Sequence, residues 1–525
     1  MSLDHEVMST EQNSPAAGST MRSVAMAALL IGVGNIASRA LGLIREPIIA
    51  YYFGRGAATD AFTLAWTVPN TVYDMLINGA VSAALVPVFS EYAEGDQDEF
   101  WRVVSGVISI ALATLTLLTA LVVWQAPAVV RLLVQPGQEG LREQTTVLVR
   151  LLMPAVLLMG ISGLTTAILH ARRKFLLPAF VGATFNTGMI AGIVLLHTRL
   201  DVSSLAAGAM IGAVGQVILQ IPGLRGARLR PSFSLEHPAV RRILRLYAPV
   251  ALGIGFSIIG TLIDRWLASG LPTAPTTMRY ATTLIQFPLG LVASAVALAV
   301  LPTLSRQSAA GDEGAFRATL AMGLKVVLLL ILPATAGLLA LAEPITRLLF
   351  ERGAFGSADS AATAMALRFY LPGLPAAAID QVLIFAFYSR KNTLTPNLIQ
   401  GAAISFYLLA ALPLLAFTHL GFLALVLGNS AQWVGHALIA AWLLSRAVPM
   451  GGQRLGEATA KGILASLAMA AAVAGAVAFL SGAPVLLQVV LAGGLGGLLY
   501  LSACAALRVE ALDFFLSALR TRFAR

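Results

Sequence analysis

Long apolar runs, separated by short polar loops, extend along almost the whole chain. About fourteen of these runs reach the roughly 20 residues that a helix needs to cross a bilayer. Their approximate positions are 24–50, 59–88, 103–124, 146–170, 178–197, 202–223, 246–269, 277–303, 320–341, 362–388, 396–417, 421–445, 460–480 and 484–506. The pattern predicts an all-α polytopic membrane protein with about 14 transmembrane helices.

The composition agrees with this prediction. Of the 525 residues, 58% are hydrophobic and only 11% are charged, which is typical of membrane proteins and not of soluble domains. The net charge of +10 does not indicate a nucleic-acid partner, because the basic residues lie in short loops between apolar runs. With the N-terminus inside, far more Lys and Arg fall on the inner side. The positive-inside rule therefore predicts a multi-pass protein of the cytoplasmic membrane with both termini in the cytoplasm.

The chain also contains an internal repeat. NGAVSAALVPVFSEY at 78–92 aligns with ASAVALAVLPTLSRQ at 293–307, and RRKFLLP at 172–178 aligns with RKNTLTP at 390–396. The repeat unit holds six helices, so both halves insert with the same orientation. This arrangement predicts two six-helix lobes related by a pseudo-two-fold axis along the membrane normal, with a substrate path between them.

These features divide the chain into four segments. We expect a disordered cytoplasmic tail at 1–22, an N-lobe of helices 1–6 at 23–228 and a C-lobe of helices 7–12 at 229–446. Helices 13 and 14 and a cytoplasmic amphipathic tail occupy 447–525. The tail is predicted to lie at the membrane interface with one apolar face, formed by Leu512, Phe515, Leu516, Leu519 and Phe523.

Three charged residues lie in the first predicted span: Arg39, Arg45 and Glu46. A charge at membrane depth costs at least a few kcal/mol, so ionisable residues there mark functional sites by default. Two cations in one span predict a polar cavity for an anion, and arginine forks match phosphate oxygens. Because residues seven apart share a helical face, Arg39 is expected to pair with Glu46 while Arg45 faces elsewhere. Snorkelling to the interface is the alternative for Arg45.

The second span carries two carboxylates. Asp60 begins this span and either caps it or balances the arginines. Asp74 lies in mid-span and either lines the cavity or forms a salt bridge with Arg39 or Arg45.

Other charged residues lie in the second half. Asp264 and Arg265, adjacent in the seventh span, either pair with neighbouring helices or line the cavity. Asp380 in the tenth span joins them as a candidate for coupling transport to a cation. His436 in the twelfth span is expected to be a hydrogen-bonded packing histidine, with a proton relay through Asp380 as the alternative.

Several motifs together resemble the MurJ (MviN) family of lipid II flippases, within the superfamily of multidrug and polysaccharide-lipid exporters. The motifs are SRALGLIREPIIAYYFG (38–54), TDAF (59–62), VPN (68–70), KFLLPAF (174–180), QFPLG (286–290), LLFERGAF (348–355) and FYSRKNTLTP (387–396). The resemblance implies two lobes around a cationic cavity, with the two extra helices lining a groove for a prenyl tail. The implied substrate is undecaprenyl-pyrophosphate disaccharide-pentapeptide, moved from the inner to the outer leaflet by alternating access.

The resemblance also implies a substrate-binding role for particular residues. Arg39 and Arg45 match the arginine pair of the family's first helix. Glu46 stands where the family has an acidic residue, and Asp60 matches the aspartate of TDAF.

Two arginines of the family are missing from this chain. Tyr73 and Thr283 stand in their places. Arg279, one helical turn before Thr283, lies on roughly the same helical face and is expected to substitute.

Two functions are therefore predicted as alternatives. The first is a flippase for lipid II, and the second is an exporter of another polyprenyl-linked glycan or amphipathic compound, which the missing arginines favour. A membrane scaffold is disfavoured because it has no use for buried charges. The expected partners are a polyprenyl-pyrophosphate glycolipid, membrane lipids and proteins of cell-wall synthesis.

Enzyme signatures are absent from the sequence. It has no Walker loop, no zinc-ligand cluster and no GxSxG motif, and its single cysteine, Cys504, lies in an apolar run. We therefore expect no enzymatic activity, no cofactor and no metal site. The energy is expected to come from the membrane potential or a cation gradient.

Overall fold

The computed structural model describes residues 15–78, 84–232 and 237–513, and this part of the chain is helical and contains no strand. The first half contains α1 (Pro15–Phe53), α2 (Ala57–Tyr73), α3 (Val86–Ala93), α4 (Gln97–Trp124), α5 (Ala126–Arg131), α6 (Glu139–Ala171), α7 (Leu176–Ala179), α8 (Val181–Leu200) and α9 (Ser203–Gln220). The second half contains α10 (Pro238–Ser269), α11 (Ala274–Pro288), α12 (Ser294–Ala310), α13 (Glu313–Ala340), α14 (Ala342–Phe350), α15 (Ser357–Tyr370), α16 (Leu374–Ser389), α17 (Leu394–Phe417), α18 (Phe422–Ala447), α19 (Leu455–Phe479) and α20 (Val485–Ala506).

Eleven helical stretches among the described residues are long and apolar enough to cross a membrane. They correspond to the predicted helices 3 to 6 and 8 to 14. The predicted helices 1, 2 and 7 lie in α1, α2 and α10. This all-α, multi-pass architecture is the predicted one, and the predicted number of fourteen is consistent with it.

Three hydrophobic clusters organise the packing. The first is built mainly from α2, α4, α6, α8 and α9, and the second mainly from α11 to α18. A third cluster joins α19 and α20 to α13. Two helices contact both lobes: Ala50 of α1 belongs to the second cluster, and Ile243 of α10 belongs to the first. Each of these helices packs mainly within its own lobe and also contacts the other lobe, so the two helices join the lobes.

The repeat is visible in the irregular parts of the helices. A π-helical segment, Asp74–Asn78, follows α2, and a second one, Leu289–Ala293, follows α11 at a distance of 215 residues. The short helices α5 and α14 begin 216 residues apart, at Ala126 and Ala342. Because such irregularities are not required by hydropathy, their matched positions support the two-lobed repeat independently of the apolar pattern.

Small residues allow the closest contact between helices within the N-lobe. Gly188 and Gly192 of α8 face Gly208 and Gly212 of α9, and a Cβ on Gly188 would lie 2.4 Å from the Cα of Gly212. Two glycines four residues apart on each helix let the backbones approach, which is how helices associate in lipid.

The structure differs from the predicted N-terminal bound, and it describes only the start of the predicted C-terminal tail. Helix α1 begins at Pro15, so residues 15–22, predicted as disordered tail, are helical, while residues 1–14 lie outside the described part. At the other end Leu512 packs into the third cluster. The other residues of the predicted amphipathic face lie outside the described residues: Phe515, Leu516, Leu519 and Phe523.

Candidate functional site

A cavity of about 740 Å³ lies between the lobes. Its walls come from α1, α2 and α8 of the N-lobe and from α10 and α11 of the C-lobe. The polar residues on its walls include Arg39, Arg45, Glu46, Asn70, Asp74, Arg265, Arg279, Thr282 and Thr283. Four arginines therefore face two carboxylates, which makes the cavity cationic and suited to an anionic ligand.

Glu46 binds two arginines from opposite lobes. Its Oε1 accepts hydrogen bonds from Nε and Nη2 of Arg45 at 3.2 and 2.7 Å. Its Oε2 accepts from Nε of Arg279 at 3.0 Å and also from Nη2 of Arg279. Glu46 is only 3% exposed. Because its partners come from both lobes, Glu46 ties α1 of the N-lobe to α11 of the C-lobe. Removing one partner of a buried ion pair costs about 3–5 kcal/mol.

The two arginines of this cluster are held by further contacts. Arg45 donates from Nη1 to Oδ1 of Asn186 on α8 at 3.0 Å. The guanidinium of Arg279 lies over the ring of Phe62, with its carbon 5.3 Å from the ring centroid. Each fork is thus fixed in direction, which preorganises the pair for a planar or multivalent anion.

The expected pairing of Arg39 with Glu46 differs from the observed arrangement. Both oxygens of Glu46 are bound by Arg45 and Arg279. The side chain of Arg39 crosses to the C-lobe, where a Cβ added to Gly290 would lie 1.6 Å from its Nη1. Gly290 belongs to the π-helical segment Leu289–Ala293. Helical-wheel geometry alone could not predict this, because the partners come from the other lobe.

Gly290 therefore sets where the guanidinium of Arg39 lies. We predict that Gly290→Ala leaves folding nearly unchanged, because a flexible side-chain end can move away, but displaces Arg39 from this position. Transport by purified protein should fall about tenfold, the loss expected when a charge-assisted contact of about 1.4 kcal/mol is misplaced. Gly255→Ala, where an added Cβ meets nothing within 4 Å, is the matched control. Equal rates for the two variants would show that the position of Arg39 does not matter.

The two departures from the family pattern lie in different surroundings. Thr283 lines the cavity, and its hydroxyl donates to the carbonyl of Arg279 at 3.0 Å. Tyr73 packs against the N-lobe cluster, whereas the neighbouring Asp74 lines the cavity and accepts a hydrogen bond from Nδ2 of Asn70 at 3.0 Å. Of the two positions where the family pattern has an arginine, Thr283 lines the cavity. Arg279, one helical turn before it, lines the cavity as well.

Asp60 lies at a contact between the lobes. Its carboxylate accepts hydrogen bonds from the backbone N–H groups of Thr273 and Thr276 at 2.9 and 3.0 Å, and from the Thr276 hydroxyl at 2.6 Å. It therefore caps α11 of the C-lobe. Neither expected role is observed, since the N-cap of its own helix α2 is Gly56 and its carboxylate binds the end of another helix.

Further polar contacts join the lobes near Asp60. Arg55 pairs with Asp359 at 2.8 Å and donates to the hydroxyl of Thr273 at 2.8 Å. The backbone N–H of Ala354 donates to the carbonyl of Tyr51 at 2.8 Å. These residues lie in or beside the loops that follow α1, α10 and α14, which form the predicted outer face. We call these interlobe contacts of Asp60, Arg55 and Tyr51 the outer gate.

Asp264 and Arg265 point in different directions. Asp264 accepts hydrogen bonds from Tyr407 at 2.9 Å and from Asn429 at 3.0 Å, both within the C-lobe. Arg265 lines the cavity and approaches Asp264 only to 3.8 Å. The two predicted alternatives thus apply to one residue each: Asp264 packs with neighbouring helices and Arg265 faces the cavity.

Asp380 and His436 form a pair inside the C-lobe. Nδ1 of His436 lies 2.6 Å from Oδ1 of Asp380, and the histidine is buried. The neighbouring Gln381 accepts a hydrogen bond from Ser294 at 2.9 Å, and Ser294 directly follows the π-helical segment of Gly290. Through Gln381, which follows Asp380 on α16, the pair is thus connected to the end of the π-helical segment Leu289–Ala293. The side chain of Arg39 lies against Gly290 of that segment.

Two residues that hold the site or the outer gate in place were not predicted from the sequence: Asn186 and Arg55. Arg55 resembled an ordinary loop residue, and Asn186 an isolated polar residue in an apolar span. A search for polar side chains within apolar runs would have found Asn186. Nothing in the sequence pairs Arg55 with Asp359, 304 residues further along the chain.

Two pseudo-symmetric helical lobes enclosing a cationic cavity, sealed at one face by contacts between the lobes, define the class of two-lobed membrane transporters. The sequence model of the family described as lipid II flippase MurJ matches residues 49–499, and the chain belongs to this family. The resemblance inferred from the motifs is thereby confirmed.

Curated relatives and solved structures agree with this assignment. A probable lipid II flippase MurJ of Vibrio cholerae is 31% identical over 387 residues, covering 70% of this chain and 73% of the relative. One of Haemophilus influenzae is 32% identical over 386 residues, covering 69% and 75%. The fold matches a solved lipid II flippase MurJ in an inward closed conformation (TM-score 0.78, 24% identity, 91% and 98% covered). It also matches an inward-facing MATE family transporter of the MOP superfamily (TM-score 0.66, 13% identity, 80% and 96% covered).

Proposed function

We propose that the protein moves lipid II, the undecaprenyl-pyrophosphate disaccharide-pentapeptide, from the inner to the outer leaflet of the cytoplasmic membrane by alternating access. One observation carries the proposal: Arg45 and Arg279, from opposite lobes, are held together by a single buried carboxylate, Glu46. A pyrophosphate presents more oxygens and more charge than one carboxylate. It can therefore engage both forks, and Arg39 beside them.

The same cluster suggests how binding changes the conformation. While the cavity is empty of substrate, Glu46 ties α1 to α11 across the lobes. A pyrophosphate that binds both arginines replaces these contacts and weakens the tie. A ligand shifts a conformational equilibrium only by its differential affinity for the two states, and here the difference comes from the contacts exchanged with Glu46. The outer gate must then open for release.

The orientation and the energy source belong to this proposal. The distribution of Lys and Arg supports both termini in the cytoplasm, which places the outer gate on the external side. A headgroup with about two negative charges moving outward gains about 2.3 kcal/mol per charge for each 100 mV of inside-negative potential. We propose the membrane potential as the driving force. Cation coupling through Asp264, Arg265 and Asp380 is the alternative, supported by the buried pair of Asp380 and His436.

A second candidate is export of another polyprenyl-linked glycan or amphipathic compound. The observation that favours it is Thr283, which lies on the cavity wall where the family pattern has an arginine. Both candidates need a cationic cavity, so they differ only in the headgroup that is accepted. Proteins of cell-wall synthesis are the proposed partners of the first candidate.

Complementation tests the proposal. In a strain depleted of its own lipid II flippase, we expect the wild-type chain to restore growth and Arg39→Ala to fail, because the headgroup loses a charged contact worth about 1.5–3 kcal/mol. Arg102→Ala, which removes an exposed arginine of α4 outside the cavity, is the matched control and should restore growth. Failure of the wild type at normal expression would favour the second candidate, and full rescue by Arg39→Ala would remove Arg39 from the site.

A further inference from the structure

A stripe of polar residues follows α2 along one wall of the cavity. Its members lie adjacent or three to four positions apart, which keeps their side chains on one helical face. They are Thr63, Thr67, Asn70, Thr71 and Asp74, and all of them line the cavity. Because α2 begins beside the outer gate, the stripe leads from the gate toward the inner side of the membrane.

The two ends of this stripe differ in charge. Near the outer end, Nη1 of Arg279 donates to the hydroxyl of Thr63 at 3.4 Å, so this end adjoins the arginine cluster. At the inner end lies Asp74, whose Oδ2 accepts a hydrogen bond from Nδ2 of Asn70 at 3.0 Å. From Thr63 to Asp74 the helix rises about 16 Å, at about 1.5 Å per residue. The wall is therefore cationic at one end and anionic at the other.

Asp74 has a different setting from the other carboxylate of the cavity. Among the described residues that line the cavity, the carboxylates are Glu46 and Asp74. Glu46 is bound by arginines from both lobes, and it holds their forks in place. Asp74 faces the space that an anionic headgroup would enter, and like charges oppose binding. A carboxylate at this place suits a headgroup that carries a cation at some distance from its phosphates.

The repeat draws attention to the same place. Asp74 begins the π-helical segment Asp74–Asn78, whose counterpart in the second half is Leu289–Ala293. Such π-helical turns occur frequently at functional sites. In the second segment, Gly290 lies against the guanidinium of Arg39. The two matched segments thus bring a carboxylate and a guanidinium to the cavity wall, so this part of the cavity is not uniformly cationic.

We propose that Asp74 binds an ammonium group on the peptide of the lipid-linked headgroup whose pyrophosphate lies among the cavity arginines; this inference rests on the proposed function. With the outer gate closed, a headgroup held by the arginines extends toward the inner end of the cavity, where Asp74 lies. A sugar, its lactyl link and two residues separate a basic third residue of the peptide from the pyrophosphate. Each extended residue spans about 3.3–3.6 Å, so the amine reaches a site about 16 Å away.

The wall between the two charged ends suits the middle of such a headgroup. Thr67 and Thr71 line it on α2, and Ser257 and Thr261 line it on α10. Hydroxyl groups both donate and accept hydrogen bonds, which matches the hydroxyl and amide groups of a glycan. Asp74 is thereby a specificity-determining residue, which favours a headgroup with a free amine over the same headgroup without that charge.

Transport of two matched lipids tests this assignment. The first is lipid II with lysine as the third residue of its peptide, and the second is the same lipid with that amine acetylated. For purified wild-type protein in vesicles at subsaturating lipid, we expect an initial rate about tenfold higher for the free amine, the contribution of one charge-assisted hydrogen bond. This comparison uses the wild-type chain, so it does not depend on the folding of a variant. Equal rates would overturn the inference.

Asp74→Asn shows whether Asp74 causes the preference. The variant keeps the size of the side chain and removes its charge, so the ratio of the two rates should fall from about ten to about one. A ratio measured within one preparation is independent of the fraction that is folded. Asp98→Asn, which removes an exposed carboxylate of α4 paired with Arg228, is the matched control and should keep the preference. A preference that persists in Asp74→Asn would come from the bulk of the acetyl group or from another residue, and would overturn the inference.

The same measurements separate this inference from the proposed function. If the wild type moves both lipids at equal rates, the proposed function stands and Asp74 does not recognise the amine. If the wild type moves neither lipid, the proposed function fails and the inference fails with it.

Discussion

Arg279→Gln should strongly slow transport while the protein still folds. Arg279 is the only contact between Glu46 and the C-lobe among the described ion pairs. The substitution leaves a buried carboxylate bound by one arginine, and it removes one fork from the headgroup. The lost charged contact to the headgroup, about 1.5–3 kcal/mol, corresponds to a loss of about ten- to a hundredfold in the rate of lipid II translocation by purified protein in vesicles. Arg102→Gln, on the exposed face of α4, controls for the loss of charge.

A charge relocation makes this result specific. Thr283 lies one turn beyond Arg279 and also lines the cavity, so the double variant Arg279→Thr/Thr283→Arg moves the guanidinium to the position that the family pattern uses. We expect the double variant to recover much of the lost rate, since Glu46 remains within reach of a long arginine side chain. A well-folded double variant as inactive as Arg279→Gln would mean that Arg279 acts through its own position and does not substitute for the missing arginine.

Asp60→Ala should open the outer gate. The carboxylate accepts three hydrogen bonds from Thr273 and Thr276, and their loss costs the closed state about 3 kcal/mol. This favours the outward-open population by roughly a hundredfold. A cysteine at Ser257, which lines the cavity, should then react much faster with a membrane-impermeant maleimide added outside. Cys504, the single native cysteine, is buried and is replaced by alanine as a precaution.

Two controls accompany this measurement. Asp98→Ala breaks only the exposed ion pair with Arg228 and should leave the labelling rate unchanged, because exposed pairs contribute about 0–1 kcal/mol. Asp359→Ala removes the partner of Arg55 in the same outer gate and should give an intermediate rate. If Asp60→Ala labels no faster than Asp98→Ala, Asp60 does not hold the outer gate closed.

The charges of the first span illustrate what the sequence can and cannot predict. Charge in an apolar span predicts a polar cavity, and Arg39, Arg45 and Glu46 all line one; that the cavity binds an anion stays a prediction. The pairing of Arg39 with Glu46 followed from spacing on an isolated helix. It failed because Arg279 reaches Glu46 from the other lobe, and because the neighbours Arg45 and Glu46 have side chains long enough to meet despite their different azimuths.

The amino-acid sequence determined the helical, membrane-spanning architecture, the two-fold repeat and the family. Each of these depends on patterns repeated over many residues, so no single error changes the result. Only the tertiary structure decided the partners of individual charges: Arg279 for Glu46, the end of α11 for Asp60, and Asp359 for Arg55. These pairs join residues more than 200 positions apart from different lobes. Hydropathy places a helix in the membrane, but only packing between lobes decides which side chains meet.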